Sequence, residues 1–137
     1  MKGKSDVLKK LFTNKEEVDP EELYNLLNPY IKINEDNKSI IFLDATHEAL
    51  LKDKVILFLL GKKVLFLLGE IDSEKISPKI IIEETGLPKG SVLPTLKQLK
   101  EPKGGSLISS DQSGKYFINN YQFSKIKGKL NKVYEKK

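Results

Sequence analysis

The sequence predicts a mainly α (α+β) fold in three parts. These are an N-terminal helix and β-hairpin lobe over residues 1–50, a helix-turn-helix with a following hairpin over 51–120, and a basic amphipathic C-terminal helix over 121–137. Three observations predict it. Asp19-Pro20 and Ser77-Pro78 each place a capping side chain before a proline that suits the first helical position. Two polar turns, 34–38 and 110–114, are each flanked by short β-prone apolar runs. And 137 residues, 39% hydrophobic and 31% charged, suffice for one real core and are too apolar for a disordered chain.

In chain order, Ser5 can cap a short helix to Phe12. Asp19, Pro20, Glu21 and Glu22 start a second, with acids in the first turn and Leu23, Leu26 and Leu27 on one face; Pro29 stops it. Tyr30–Ile33 and Ser39–Leu43 then read as a hairpin around Asn34-Glu35-Asp36-Asn37-Lys38.

Thr46 to Ile71 is helical in character and contains an internal echo, Leu57-Phe58-Leu59-Leu60-Gly61 recurring as Leu65-Phe66-Leu67-Leu68-Gly69. Eight residues rotate the second copy by about 80° from the first, so one continuous helix would be apolar on nearly every side and must be buried. The pattern instead predicts two helices, or one kinked helix, hinged at Gly61. The apolar stretch Val55–Leu68, broken by Gly61, Lys62 and Lys63, is shorter than the ~20 residues of a membrane span.

From Ile76 the pattern sharpens. Ser77 caps a helix to Thr85, Gly86 turns the chain, and Lys89 to Leu99 or Lys100 forms a second helix with Val92, Leu96 and Leu99 inward. Pro102 and Gly104-Gly105 end it. Leu107–Ser109 and Lys115–Ile118 are short strands around a turn closed by Gly114, and Ser124 caps the last helix, with Ile126, Leu130, Val133 and Tyr134 on one face.

Helix, four-residue turn with Gly, helix and hairpin is the order of a winged helix-turn-helix. Over Ser77–Ile118 the chain resembles winged-helix regulators of the MarR and PadR kinds, with the module spanning about residues 62–120. The stretch Gly90-Ser91-Val92-Leu93-Pro94-Thr95-Leu96-Lys97-Gln98-Leu99 is similar to the PadR recognition helix, in which a small pair, an aliphatic, a variable residue, Pro and two spaced leucines occur in this order. It departs from that family at Leu93, where an aromatic is usual, and at the Glu101–Ser106 junction, so the resemblance is to the winged helix and not to PadR membership.

That resemblance implies double-stranded DNA as partner, with the Lys89–Lys100 helix in the major groove and the 107–118 wing on the backbone. Lys89, Lys97, Lys100, Lys79, Lys103 and Lys115 are candidate phosphate contacts, Ser91 a phosphate or base contact, and Leu93 with Pro94 an apolar contact to a thymine methyl. All 24 basic residues are lysines, point charges suited to phosphate, whereas Arg is the usual bidentate reader of guanine. The lack of Arg is equally a mark of AT-rich coding. Residues 1–114 carry 17 Lys against 18 acids, while 115–137 carry 7 Lys against Glu135 alone, so the positive excess is C-terminal. Lysines 125, 127, 129 and 132 are candidates to extend the footprint.

The expected protein is therefore a DNA-binding transcriptional regulator, a homodimer through the 55–68 segment, the C-terminal helix or both, cytoplasmic and nucleoid-associated. The absence of Cys and of a hydrophobic core behind the charged Met1–Asp6 start fits that compartment. The alternative is a winged helix that docks a protein within a larger complex. No enzymatic activity, cofactor or metal is expected: His47 is the sole histidine, no His lies near Ser109-Ser110-Asp111 to serve as base, and no glycine-rich phosphate loop is present.

Overall fold

The computed structural model describes residues 18–47 and 49–134, with the backbone alone for 130–134. The expected Ser5–Phe12 helix and the side chains of Leu130, Val133 and Tyr134 lie outside the described residues. The fold is mainly helical, with two small antiparallel hairpins.

Helix α1 (Pro20–Leu27) begins where the Asp19 carboxylate accepts the Glu21 amide, and it buries Leu23, Leu26 and Leu27. The first hairpin pairs β1 (Ile31–Ile33) with β2 (Ile40–Phe42) in the register Lys32 opposite Ile41. Its turn is wound on the Asn34 side chain, which accepts the amides of Asp36 and Asn37. Ile31 and Ile40 point to the core.

Helix α2 (Leu51–Leu67) runs unbroken through Gly61, against the expected hinge. The physical reason is packing. A Cβ at Gly61 would stand 2.6 Å from Ile40 Cδ1 and 3.2 Å from Ile31 Cδ1, so this glycine lets the first hairpin lie against the helix backbone. Val55 through Leu60 are all buried, as a helix without a polar face requires. The cover comes from the same chain. Helix α1 and the first hairpin lie against α2, as do the next two helices and one strand of the second hairpin. Lys62 and Lys63, which interrupt the apolar run in the sequence, are buried too and are paired: Lys62 Nζ with Glu84 at 2.7 Å, Lys63 Nζ with Glu74 at 2.9 Å and with the Ile118 carbonyl at 2.8 Å. The apolar side chains emerge only at the last turn. Leu67 and Leu68 are 54% and 69% exposed and border, with Tyr24, an apolar groove of about 470 Å³.

Helix α3 (Pro78–Thr85) is capped by the Ser77 hydroxyl, and Gly86, at φ +72°, turns the chain into α4 (Lys89–Lys100). That left-handed φ is the reason a glycine is wanted here. Helix α4 buries Val92, Leu96 and Leu99, and a single 3-10 turn, Pro102–Gly104, follows it. The second hairpin is shorter than expected: β3 is Ser109–Ser110 and β4 is Tyr116–Phe117. Ile76 adds a third edge, exchanging both backbone hydrogen bonds with Tyr116.

Helix α5 (Asn120–Tyr134) starts four residues before the expected Ser124 cap. The Asn119 side chain accepts the Gln122 amide while the Gln122 side chain accepts the Asn119 amide, a reciprocal capping box. Gln122 also bonds the Ser109 hydroxyl and the Ser106 carbonyl, which fastens this helix start to the second hairpin. The core is one cluster reaching from Leu23 to Ile126, so the N-terminal lobe and the rest of the chain share it. Among the described residues no helix is long and apolar enough to cross a membrane.

Candidate nucleic-acid interface

The buried stripe of α4 fixes what the helix offers to solvent. At about 100° per residue, Lys89, Leu93, Lys97 and Lys100 fall within one narrow sector beside the buried residues, a stripe roughly 16 Å long. All four are exposed. Pro94 lies next to Lys97 near the middle of the outward face. Ser91 is exposed as well, but on the far edge of that face, away from the lysines. The stripe is thus cationic with one apolar side chain, Leu93, 41% exposed.

Pro94 sits within α4 without ending it. Its missing N–H forfeits a single bond, to the Gly90 carbonyl, since it lies early in the helix. One residue on, the Thr95 hydroxyl donates to the Ser91 carbonyl at 2.7 Å.

The remaining candidates stand on neighbouring elements. Lys79 is exposed in the first turn of α3, Lys103 in the 3-10 turn beyond α4, and Lys115 at the base of β4. Helix α3 and the 3-10 turn both pack on α4, whereas the second hairpin packs on α2. Lys79 and Lys103 therefore stand on elements that pack on α4, and Lys115 belongs to a separate projection. Among the described residues none of these six lysines is ion-paired. Acidic groups border them, with Glu83 and Glu101 exposed nearby in sequence.

The tip of the second hairpin is organised by one carboxylate. Asp111 Oδ1 accepts the Ser113 amide at 2.9 Å, the Ser113 hydroxyl at 2.8 Å and the Lys115 amide at 2.9 Å. The Lys115 amide first, then the Ser113 hydroxyl and the nearby Lys75 charge, hold its pKa below the ordinary 3.8. Its negative charge is thereby turned into its own turn.

Two further groups stand at this surface beyond the residues expected there. Gln98 is exposed on the outward face of α4, and its amide is the type that reads adenine; the helix pattern alone would have identified it. Lys75 lies over the Phe117 ring, 5.3 Å from its centroid, and so brackets the hairpin with Lys115. No local signal announces that, because it follows from the pairing of Ile76 with Tyr116.

The C-terminal lysines do not form one footprint. Lys127 is bonded to Glu22 of α1 at 2.8 Å and is neutralised there. Lys125 donates to the Gly105 carbonyl at 3.4 Å and lies over the Tyr121 ring, while Lys129 is exposed. The side chain of Lys132 lies outside the described residues.

No protein-family model matches this chain, and no curated protein or solved structure matches it.

Proposed function

We propose that this protein binds double-stranded DNA through a winged helix-turn-helix, as a transcriptional regulator, with α4 entering the major groove and the second hairpin as its wing. The observation that carries the reading is the α4 stripe of three unpaired lysines, with Lys79 and Lys103 exposed on two elements packed against the same helix. The order of elements supports it: helix, a single bridging residue at Ile76, helix, glycine turn, helix and hairpin follow one another as in that module. With lysines and no Arg, phosphate contact and groove shape dominate over base-edge reading.

The test is fluorescence anisotropy of the purified chain on a mixed duplex at roughly 50 and 200 mM salt, where phosphate contacts reveal themselves. A steep loss of affinity with salt is expected. No binding at the lower salt defeats the proposal and leaves the second reading, a winged helix that docks a protein. That reading is favoured by the exposed Leu93 beside Pro94.

The proposed homodimer is narrowed. Since Val55–Leu60 are covered by the same chain, pairing through the 55–68 segment has only its last turn to use, with Phe66, Leu67 and Leu68. Light scattering at micromolar concentration decides between monomer and dimer.

A further inference from the structure

The last turn of α4, the 3-10 turn after it, the start of α2 and the middle of α5 enclose a second cavity, of about 480 Å³. That volume falls among those of small-molecule sites. Its floor is apolar, with Leu50, Ile56, Leu99, Leu107 and Ile126.

Its rim has the opposite character. Lys52 from α2, Lys129 from α5 and Gln98 from α4 line it, and neither lysine is ion-paired among the described residues. Lys129 places its ammonium over Gly105, 2.7 Å from where a Cβ would stand, and Lys125, one helical turn earlier, donates to the Gly105 carbonyl at 3.4 Å. Two ammonium groups are thus drawn to one glycine turn, and like charges four residues apart on a helix repel. Asp53 also lines the cavity, but it is 6% exposed and already engaged in an interaction of its own.

We propose that this cavity binds a small organic carboxylate with an apolar body. The body covers Leu99, Leu107 and Ile126, and the carboxylate accepts from Lys129, Lys52 and the Gln98 amide. The apolar floor disfavours a compact hydrophilic anion such as inorganic phosphate, and the unpaired lysines disfavour a neutral hydrocarbon. The site stands whether or not α4 binds DNA.

The experiment is a titration of the full-length, ¹⁵N-labelled chain with sodium octanoate and, separately, octan-1-ol, followed by amide chemical shifts in the absence of DNA. Octanoate is expected to give saturable shifts at residues 50–53, 98–107 and 126–129, with octanol about tenfold weaker, the factor that about 1.4 kcal/mol of charge recognition supplies. In the double variant Lys52→Gln and Lys129→Gln, both surface positions, octanoate affinity falls to that of octanol and octanol affinity is unchanged. Equal affinity for the two ligands in the unmodified chain overturns the proposal. So does the absence of saturable shifts, or a response centred on the Tyr24, Leu67 and Leu68 groove. The comparison of the two ligands on the unmodified chain needs no variant to fold.

Discussion

Lys63 Nζ, inside the apolar spine of the protein, is bonded to Glu74 Oε1 at 2.9 Å, and the two side chains are 2% and 16% exposed. The pair clamps α2 to the loop that leads into α3, and a second bond of the ammonium, to the Ile118 carbonyl, clamps it to the end of the second hairpin. The two partners are not equivalent. Removing the carboxylate leaves a charge inside, whereas removing the ammonium leaves a carboxylate close to water. Glu74→Ala is therefore expected to cost ~3 kcal/mol and Lys63→Met distinctly less, as midpoints of urea unfolding. Equal costs, or the reverse order, would refute this account of the pair.

The packing at Gly61 makes a prediction that needs two substitutions. Ala in a helix interior is favoured over Gly by ~1 kcal/mol. Here that gain meets Ile40 Cδ1, 2.6 Å from the added Cβ. Gly61→Ala alone is expected to give no net stabilisation, and Gly61→Ala in an Ile40→Val background to recover about 0.5–1 kcal/mol of it. A double-mutant cycle measures the coupling. If the two changes simply add, Ile40 is not what demands the glycine.

On the proposed DNA-binding reading, the stripe and the C-terminal helix make different predictions. Lys89→Ala with Lys97→Ala is expected to weaken binding on every duplex and to flatten the salt slope by about 0.9 for each phosphate left without its lysine. Lys127→Ala is expected to change neither, because its charge is already held by Glu22. Unchanged affinity in the Lys89 and Lys97 variant would point to a protein-docking role for α4.

The hairpin tip has a pH dependence whose sign is set by Asp111. Its folded pKa is held below the unfolded value, so its contribution is present above the ordinary 3.8 and is lost as pH falls through the folded value. Amide exchange at Ser113 and Lys115 is expected to lose its protection there, after allowance for the intrinsic rate, and Asp111→Asn to show weakened protection at neutral pH. A tip that stays equally protected on acidification would show that the carboxylate does not organise it.

How far the sequence alone reaches follows the range of the interactions concerned. Asp19 and Ser77 announce their helices because a cap acts within three residues, and both helices lie where the caps put them. The buried triplet Val92, Leu96 and Leu99 is legible for the same reason, and with it the exposed lysines of α4. Gly61 is not legible, since the atoms that require it belong to Ile31 and Ile40 on a hairpin elsewhere in the chain. The burial of Lys62 and Lys63 is hidden likewise, because Glu84, Glu74 and the Ile118 carbonyl come from later elements. The start of α5 is a different case: Asn119 and Gln122 stand at capping-box spacing, and Ser124 simply competed with them as a cap.

An α2 with no polar side has a consequence for how the chain is made. As synthesis proceeds from the N-terminus, α1, the first hairpin and α2 emerge before Val92, Leu96 and Leu99 can cover the remaining side of α2. In that interval a row of leucines stands in water with nothing of its own to meet, the circumstance in which nascent chains aggregate or recruit chaperones. The interval closes only when α4 arrives.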